Sequence, residues 1–334
     1  MRWRVGRFSP SVTRRPPYEG DGDHVRWYLH LMVDVYAGAW KVQSEAVSLT
    51  TADIGPRGGT AVLMIHGFPD TAKLWRNQIP ALTDAGYRVL APDLRGFGRS
   101  DKPDDVADYH ISRHAADMLA VLDAAELEGA HVVGHDWGAA IAWYLAIAHP
   151  GRVRSLTALS VGHPTSFREA GARQLEKSWY MLLFQFEGIA EEWLSRDDWQ
   201  GLRRWMGSHP EVDTWIGDLS RPGALTAALN IYRANMGPER LIETPRPLPP
   251  VRVPVMGVWS SGDGALLEPQ MLGSREYVAG EWRYERIDGA SHWIPLDAPE
   301  ELSDLLIDWL GRRRSIASSA ADDDPRSGSQ PVVS

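Results

Sequence analysis

Short runs of β-branched and apolar residues alternate with helical patterns along the middle of the chain. Apolar runs of this length, bounded by turn residues, are typical of buried strands. They predict strands over residues 45–50, 60–65, 87–92, 131–134, 155–160, 253–259 and 282–287. Strands that alternate with helices build a mostly parallel sheet with helices on both faces. The predicted fold class is therefore α/β.

The alternation stops between residues 163 and 250, where no run predicts a strand. Helical stretches of this interval contain Trp179, Trp193, Trp199, Trp205 and Trp215. Prolines at positions 245, 247, 249 and 250 then mark the return of the strand pattern. We predict a helical insertion over residues 163–250, which covers a core formed by residues 44–162 and 251–311.

The last helix of the core has the clearest boundaries in the sequence. Asp297 and Glu300 form a D-x-x-E capping pattern at its start, and Gly311 is the expected end. Residues 312–334 are rich in Ser, Ala and Asp, and they are predicted to be a disordered tail. Residues 1–43 are predicted to be an N-terminal extension that is disordered in part, because arginines and prolines crowd its first half.

Composition narrows the class of partner. The 334 residues carry a net charge of −9, which argues against nucleic acid and anionic membranes as partners. The longest apolar run, residues 139–148, is too short for a membrane span. The absence of cysteine excludes disulfides and thiolate metal sites, and it is compatible with the cytoplasmic location that we expect. A small molecule is the expected partner.

The segment around Asp136 carries the most informative motif. A short apolar strand leads into Gly134-His135-Asp136-Trp137-Gly138, and a helical pattern follows. In the G-x-S-x-G nucleophile elbow the central side chain enters the active site, and the flanking glycines let the backbone pass. A carboxylate in that place is ionised at pH 7 and attacks an alkyl carbon, which leaves an ester that water must open. The expected substrate therefore has an electrophilic alkyl carbon.

Opening such an ester needs a base and an acid that orients it. His292 lies in a loop after the strand predicted at 282–287, and Asp263 follows the strand predicted at 253–259. The order nucleophile, acid, histidine is that of α/β-hydrolase triads, and parallel strands bring the three residues to one edge of the sheet. Asp136, Asp263 and His292 are therefore the predicted catalytic residues.

A further turn follows the strand predicted at 60–65. His66-Gly67-Phe68-Pro69 directs a backbone N–H toward the site, so that the N–H groups of Phe68 and Trp137 form a predicted oxyanion hole. His110 and His114 have the spacing of zinc ligands, but no third ligand is apparent. We predict neither a metal site nor a cofactor site.

Together these motifs resemble those of the epoxide hydrolases of the α/β-hydrolase fold. The matching segments are His66-Gly67-Phe68-Pro69, Asp93-Leu94-Arg95-Gly96-Phe97-Gly98-Arg99-Ser100, Gly134-His135-Asp136-Trp137-Gly138, Asp263 and Ser291-His292-Trp293, within about residues 44–311. The resemblance implies hydrolysis of an apolar epoxide to a vicinal diol by water, without a cofactor. It also implies that two tyrosines of the insertion, Tyr180 and Tyr232, bind the epoxide oxygen.

Other functions remain as alternatives. Haloalkane dehalogenases share the fold and the aspartate nucleophile, and the Trp137 indole N–H could hold a departing halide; they generally place Asn or Glu where this chain has Phe68. Asp136 itself disfavours a serine esterase. A ligand-binding protein on an inactive hydrolase scaffold predicts a missing triad member, and none is missing here. The sequence leaves the choice of epoxide and the oligomeric state open.

Overall fold

The computed structural model describes residues 34–241 and 247–322, and the predictions made for residues 1–33 and 323–334 lie outside this range. Its centre is an eight-stranded sheet with the order β1-β2-β4-β3-β5-β6-β7-β8. The strands are β1 Trp40–Ser44, β2 Val47–Ile54, β3 Thr60–Ile65, β4 Tyr87–Pro92, β5 Ala130–His135, β6 Val153–Leu159, β7 Val255–Ser260 and β8 Trp282–Ile287. Strands β3 to β8 run parallel, and β1 and β2 pair antiparallel at one end. The α/β prediction is confirmed.

Helices follow most of the strands and supply the two outer layers. The α-helices are α1 Gln78–Asp84, α2 Ile111–Ala124, α3 Trp137–Ala148, α4 Pro164–Glu169, α5 Gly171–Lys177, α6 Trp179–Leu183, α7 Ile189–Met206, α8 Val212–Leu219, α9 Ala224–Asn235, α10 Glu268–Leu272, α11 Ile294–Asp297 and α12 Pro299–Asp322. Short 3-10 helices span Ala72–Trp75, Val106–Tyr109, Pro150–Arg152, Pro238–Leu241 and Gly273–Tyr277. No helix of the described segments is long and apolar enough to cross a membrane.

The described elements between β6 and β7 are helices only, α4 to α9 and one 3-10 turn. This is the interval for which the sequence predicts a helical insertion. Helix α7 is kinked near its middle, where Asp197, Asp198 and Trp199 have positive φ angles. The segment therefore consists of two helical parts that meet at this kink.

The strand order places the loops that carry the predicted chemistry side by side. Strand β3 lies between β4 and β5, and β5 is followed across the sheet by β6, β7 and β8. Residues of β3, β4 and β5 are buried almost throughout, as expected for central parallel strands. The loops after β3, β5, β7 and β8 therefore meet at the carboxyl edge of the sheet, where ligands of such folds bind.

Two boundary predictions are wrong. The predicted extension of residues 1–43 includes β1, which pairs with β2 through the register Trp40 to Thr51. Its alternation of polar and apolar residues marks an edge strand, which a search for continuous apolar runs does not detect. The last helix begins at Pro299 and continues past Gly311 to Asp322, into the predicted tail. A glycine lowers helix stability by about 1 kcal/mol relative to alanine, which does not by itself end a helix.

The sequence predicts that Asp297 caps the last helix, but in the structure its side chain bonds other groups. Its carboxylate accepts hydrogen bonds from the Ser291 backbone N–H at 2.8 Å and from the Ser291 hydroxyl. The same carboxylate lies 3.2 Å from His209 Nε2 in the helical insertion. Asp297 therefore stabilises the loop that carries His292, because a short polar side chain bonds whichever N–H groups the tertiary structure brings near.

Candidate active site

Asp136 stands between β5 and α3 at the tip of a sharp turn. Its φ of 53° and ψ of −122° lie outside the regions that a side chain favours, as in a strained nucleophile elbow. A Cβ atom on Gly134 would collide with the backbone of Gly138, and one on Gly138 would collide with the carbonyl of Ile65. The two glycines thus let β5, α3 and β3 approach closely enough to form the turn.

One oxygen atom of Asp136 has a hydrogen-bond donor in the loop after β3. The Phe68 backbone N–H donates to Asp136 Oδ1 at 2.8 Å. Trp137 is the first residue of α3, where N–H groups have no partner within the helix. A Cβ atom on Gly67 would lie 2.7 Å from the Trp137 nitrogen and would also collide with the Asp136 carboxylate. The Phe68 N–H thus contacts the Asp136 carboxylate, and the Trp137 N–H lies near the same turn at Gly67; their role as an oxyanion hole stays a prediction.

Hydrogen bonds of His66, two residues before Phe68, fix the loop after β3. His66 Nε2 accepts a hydrogen bond from the Leu94 N–H at 3.0 Å, and its Nδ1 lies 2.9 Å from the Gly67 carbonyl. Burial lowers the pKa of His66, so this ring is neutral and donates to Gly67 from Nδ1. The peptide bond between Phe68 and Pro69 is cis. The bonds of His66 fix the turn, and Gly67 approaches the Asp136 carboxylate too closely for a side chain to fit there.

His292 lies between the two predicted carboxylates. Its Nδ1 is 2.8 Å from Asp263 Oδ2, and its Nε2 is 3.6 Å from Asp136 Oδ2. The other oxygen of Asp263 accepts from the N–H groups of Ala265 and Leu266, each at 2.8 Å. The ring is thereby oriented from the Asp263 side, and its second nitrogen faces Asp136.

The charges of this trio are interdependent. Burial disfavours the charged form of His292, but the negative charges of Asp263 and Asp136 and the hydrogen bond to Asp263 raise its pKa to about 10. Burial alone would raise the pKa of Asp263, but the His292 charge and the hydrogen bonds hold it below its ordinary value. In the free protein at neutral pH, His292 is consequently an imidazolium held between two carboxylates.

Tyr180 and Tyr232 enter from α6 and α9 of the helical insertion. Both are almost fully buried, and their rings lie 6.0 Å apart. The Tyr232 ring lies 5.1 Å from the Trp137 ring and 5.5 Å from the Phe68 ring, directly beside the elbow. Burial, followed by the charge of Asp136, raises the pKa of each phenol well above 10. Both hydroxyls therefore stay protonated and are able to donate hydrogen bonds.

Comparison with known proteins places this geometry in a family. A model of the alpha/beta hydrolase fold matches residues 60–299. Epoxide hydrolase A of Mycobacterium tuberculosis is 34% identical, over 80% of this chain and 96% of that protein. The crystal structure of epoxide hydrolase A from Mycobacterium thermoresistibile is similar with a TM-score of 0.70 and 31% identity, over 81% and 97% of the two chains. That of Bacillus megaterium epoxide hydrolase in complex with an inhibitor has a TM-score of 0.73 and 27% identity, over 81% and 100%.

The chain belongs to the epoxide hydrolases of the α/β-hydrolase fold. The resemblance drawn from the motifs is confirmed for the family and the fold. The roles of single residues rest on the geometry given above.

The sequence motifs missed several polar groups of this epoxide hydrolase. His135 Nε2 lies 2.8 Å from the His292 carbonyl, and the Ser160 hydroxyl donates to the same oxygen at 3.3 Å. Burial lowers the pKa of His135 to about 4, so the neutral ring donates from Nε2 and holds the His292 backbone. Asp70, directly after Pro69, is buried and bonded by two indole groups. A carboxylate next to the predicted turn is the one sequence signal that could have drawn attention to it.

Proposed function

We propose that this protein hydrolyses an epoxide to a vicinal diol through an alkyl ester on Asp136. In this proposal water that His292 and Asp263 activate opens the ester, and Tyr180 and Tyr232 bind the epoxide oxygen. The observation that carries it is the arrangement around one carboxylate. His292 Nε2 lies 3.6 Å from Asp136 Oδ2, and two phenols with raised pKa values stand beside the same group. The helical insertion acts as a cap that supplies the phenols.

The first half-reaction breaks a carbon–oxygen bond of the epoxide. One oxygen of Asp136 forms a bond to an epoxide carbon, and the electron pair of the broken bond moves to the epoxide oxygen. The two phenols donate hydrogen bonds to this oxygen as its charge develops, which is where fixed donors lower a barrier most. The oxygen then takes a proton, and the His292 imidazolium supplies it. The product is a hydroxyalkyl ester on Asp136 beside a neutral His292.

The second half-reaction depends on the loss of the negative charge of Asp136. Esterification removes the negative charge of Asp136, one of the two charges that raise the pKa of His292. The neutral ring then takes a proton from water, and hydroxide adds to the ester carbon. The N–H groups of Phe68 and Trp137 hold the resulting oxyanion. Collapse releases the diol and restores the Asp136 carboxylate beside the His292 imidazolium, so charge and protons balance over the cycle.

Aromatic groups around the reacting atoms support an apolar substituent on the epoxide. Phe68 contacts Phe184 with ring centroids 5.8 Å apart, and Trp205 lies 5.3 Å from Phe184 and 4.6 Å from Tyr180. These side chains come from the core and from α6 and α7 of the helical insertion. Aryl or alkyl substituents gain most from such surroundings, whereas a charged one would lose its hydration without a partner.

One contact bears on the dehalogenase alternative. The Trp137 and Tyr232 rings meet edge to face, with centroids 5.1 Å apart. A departing halide that used the Trp137 indole would have to enter beside this phenol, which in the proposal binds the epoxide oxygen.

A substrate panel tests the proposal. Purified protein is incubated with styrene-type, aliphatic and fatty-acid epoxides and, separately, with chloroalkanes and bromoalkanes, and diol and free halide are quantified. The Asp136→Asn variant, which keeps the size of the side chain, is the matched control. We expect diol from apolar epoxides, no halide release, and neither product from the variant. Halide release without diol formation would replace the proposed function by dehalogenation.

A further inference from the structure

Asp70 lies in a small polar cluster outside the catalytic groups already described. The Trp215 indole N–H donates to Asp70 Oδ1 at 2.9 Å, and the Trp293 indole N–H donates to Asp70 Oδ2 at 3.0 Å. Trp215 belongs to α8 of the helical insertion, and Trp293 directly follows His292. The two indole rings also pack on each other with centroids 4.4 Å apart. One carboxylate therefore joins the insertion to the loop that carries the base.

A second route connects the same two parts. His209, in the insertion between α7 and α8, stacks on Trp215 at 4.8 Å and lies 3.2 Å from the Asp297 carboxylate. Asp297 in turn accepts from the Ser291 N–H at 2.8 Å, one residue before His292. The insertion is thus connected to the residues on both sides of His292, to Trp293 by direct contact and to Ser291 through Asp297. Such a doubled contact fixes the position of a loop better than a single bond does.

Asp70 and the two tryptophans that donate to it are buried. Its exposed fraction is 5%, and those of Trp215 and Trp293 are 2% and 8%. Burial raises the pKa of Asp70 to about 7, and the two indole hydrogen bonds act against this rise. A buried carboxylate is costly unless its oxygens are bonded, so loss of either indole favours a rearrangement of the loop or of α8.

We propose that Trp215 and Trp293 are positioning residues, which through Asp70 hold the helical insertion and the His292 loop in their catalytic places. This inference rests on the proposed function, because it assigns each indole to one half-reaction. Trp215 fixes the part of the molecule that carries Tyr180 and Tyr232, the donors of the first step. Trp293 fixes the loop of His292, the base of the second step. Both indoles act through other residues, and the Trp293 ring also packs edge to face on the His292 ring with centroids 5.2 Å apart.

Replacement of each tryptophan by phenylalanine separates the two roles. Phenylalanine keeps an aromatic ring in the stack but lacks the N–H donor to Asp70 and part of the indole volume, a loss of packing that the control variant below shares. In Trp215→Phe we expect slower alkylation of Asp136 by about 10- to 100-fold, since a displacement of about 1 Å costs up to about 100-fold. Hydrolysis of the ester should stay within about threefold of wild type. In Trp293→Phe the pattern should be reversed, with slow hydrolysis and nearly normal alkylation.

Single-turnover kinetics with an apolar epoxide measure both steps. The adduct on Asp136 is followed by intact-mass spectrometry, and the diol is quantified in the same quenched samples. Trp143→Phe is the matched control, because Trp143 is fully buried and its indole donates at 3.0 Å to the Val161 carbonyl, away from Asp70. All three variants should lose thermal stability, but Trp143→Phe should keep both rates.

Asp70→Asn provides a second test should a tryptophan variant fail to fold. The amide oxygen of the new side chain still accepts from one indole, but its NH2 group cannot accept from the other. Alkylation of Asp136 and hydrolysis of the ester should therefore slow together. Equal slowing of both steps in Trp215→Phe and Trp293→Phe, or unchanged rates in Asp70→Asn, would overturn the inference. A wild-type protein that forms no adduct would instead contradict the proposed function. The two failures are therefore distinguishable.

Discussion

In the proposed mechanism, the position of one proton beside Asp136 decides which half-reaction takes place. His292 is charged while Asp136 and Asp263 are both negative, and its pKa falls once Asp136 becomes an ester. We therefore expect the same residue to serve as a proton donor in the first step and as a base in the second. Asp263 remains bonded to Nδ1 at 2.8 Å and keeps the ring in one orientation throughout.

Replacement of His292 by glutamine should separate the two steps. Glutamine cannot take a proton from water, so hydrolysis of the ester should fall by about 10²- to 10⁴-fold, the usual contribution of a general base. Alkylation should continue more slowly, because solvent must supply the proton for the epoxide oxygen. An intact-mass spectrum should show a species heavier by one substrate mass. A natively folded variant without this adduct would mean that His292 is not the base of the second step.

At the level of elements, the sequence predicts the centre of the fold better than its edges. The bounds of β3, β4 and β8 agree with the predicted runs, because these strands are bounded by turn residues. The edge strand β1 was missed, since its polar face breaks the apolar run. The end of α12 was misplaced, because one glycine and a polar composition do not decide whether a helix continues.

Helix α3 packs closely against strand β3 at Gly138. A Cβ atom on Gly138 would collide with the Ile65 carbonyl, whereas one on Gly151 would have no atom within 4 Å. Gly138→Ala should therefore destabilise the protein by about 1–3 kcal/mol or more, as overpacked sites do, and should distort the elbow. Gly151→Ala is the control and should change stability by less than about 0.5 kcal/mol. Chemical denaturation and activity measurements on both variants check this; equal stability would contradict the packing argument.

At the scale of the whole molecule, the active site is assembled from parts distant in sequence. The order of strands and motifs predicts that Asp136, Asp263 and His292 share one sheet edge. No pattern predicts that Asp70 is bonded by Trp215 and Trp293, which are 145 and 223 residues away. Contacts between an insertion and a core depend on how the two surfaces pack, and local periodicity carries no information on that packing.

The insertion contributes to the first step only, according to this account. Replacing one of Tyr180 and Tyr232 by phenylalanine should cost roughly 2.7–4 kcal/mol in the alkylation barrier, and less if the other phenol compensates. The double variant should almost abolish alkylation and leave hydrolysis of any adduct nearly unchanged. Rapid-quench measurement of both steps checks this. If the double variant opens epoxides within a few-fold of wild type, the tyrosines are packing residues.

The origin of the oxygen atom in the diol tests the central claim most directly. Excess enzyme is mixed with an apolar epoxide in water enriched in heavy oxygen, and product and protein are analysed after a single turnover. Since the attacking oxygen belongs to Asp136, the account predicts an unlabelled diol and label in the Asp136 carboxylate. Labelled diol on the first turnover, with no label in Asp136, would contradict the covalent mechanism.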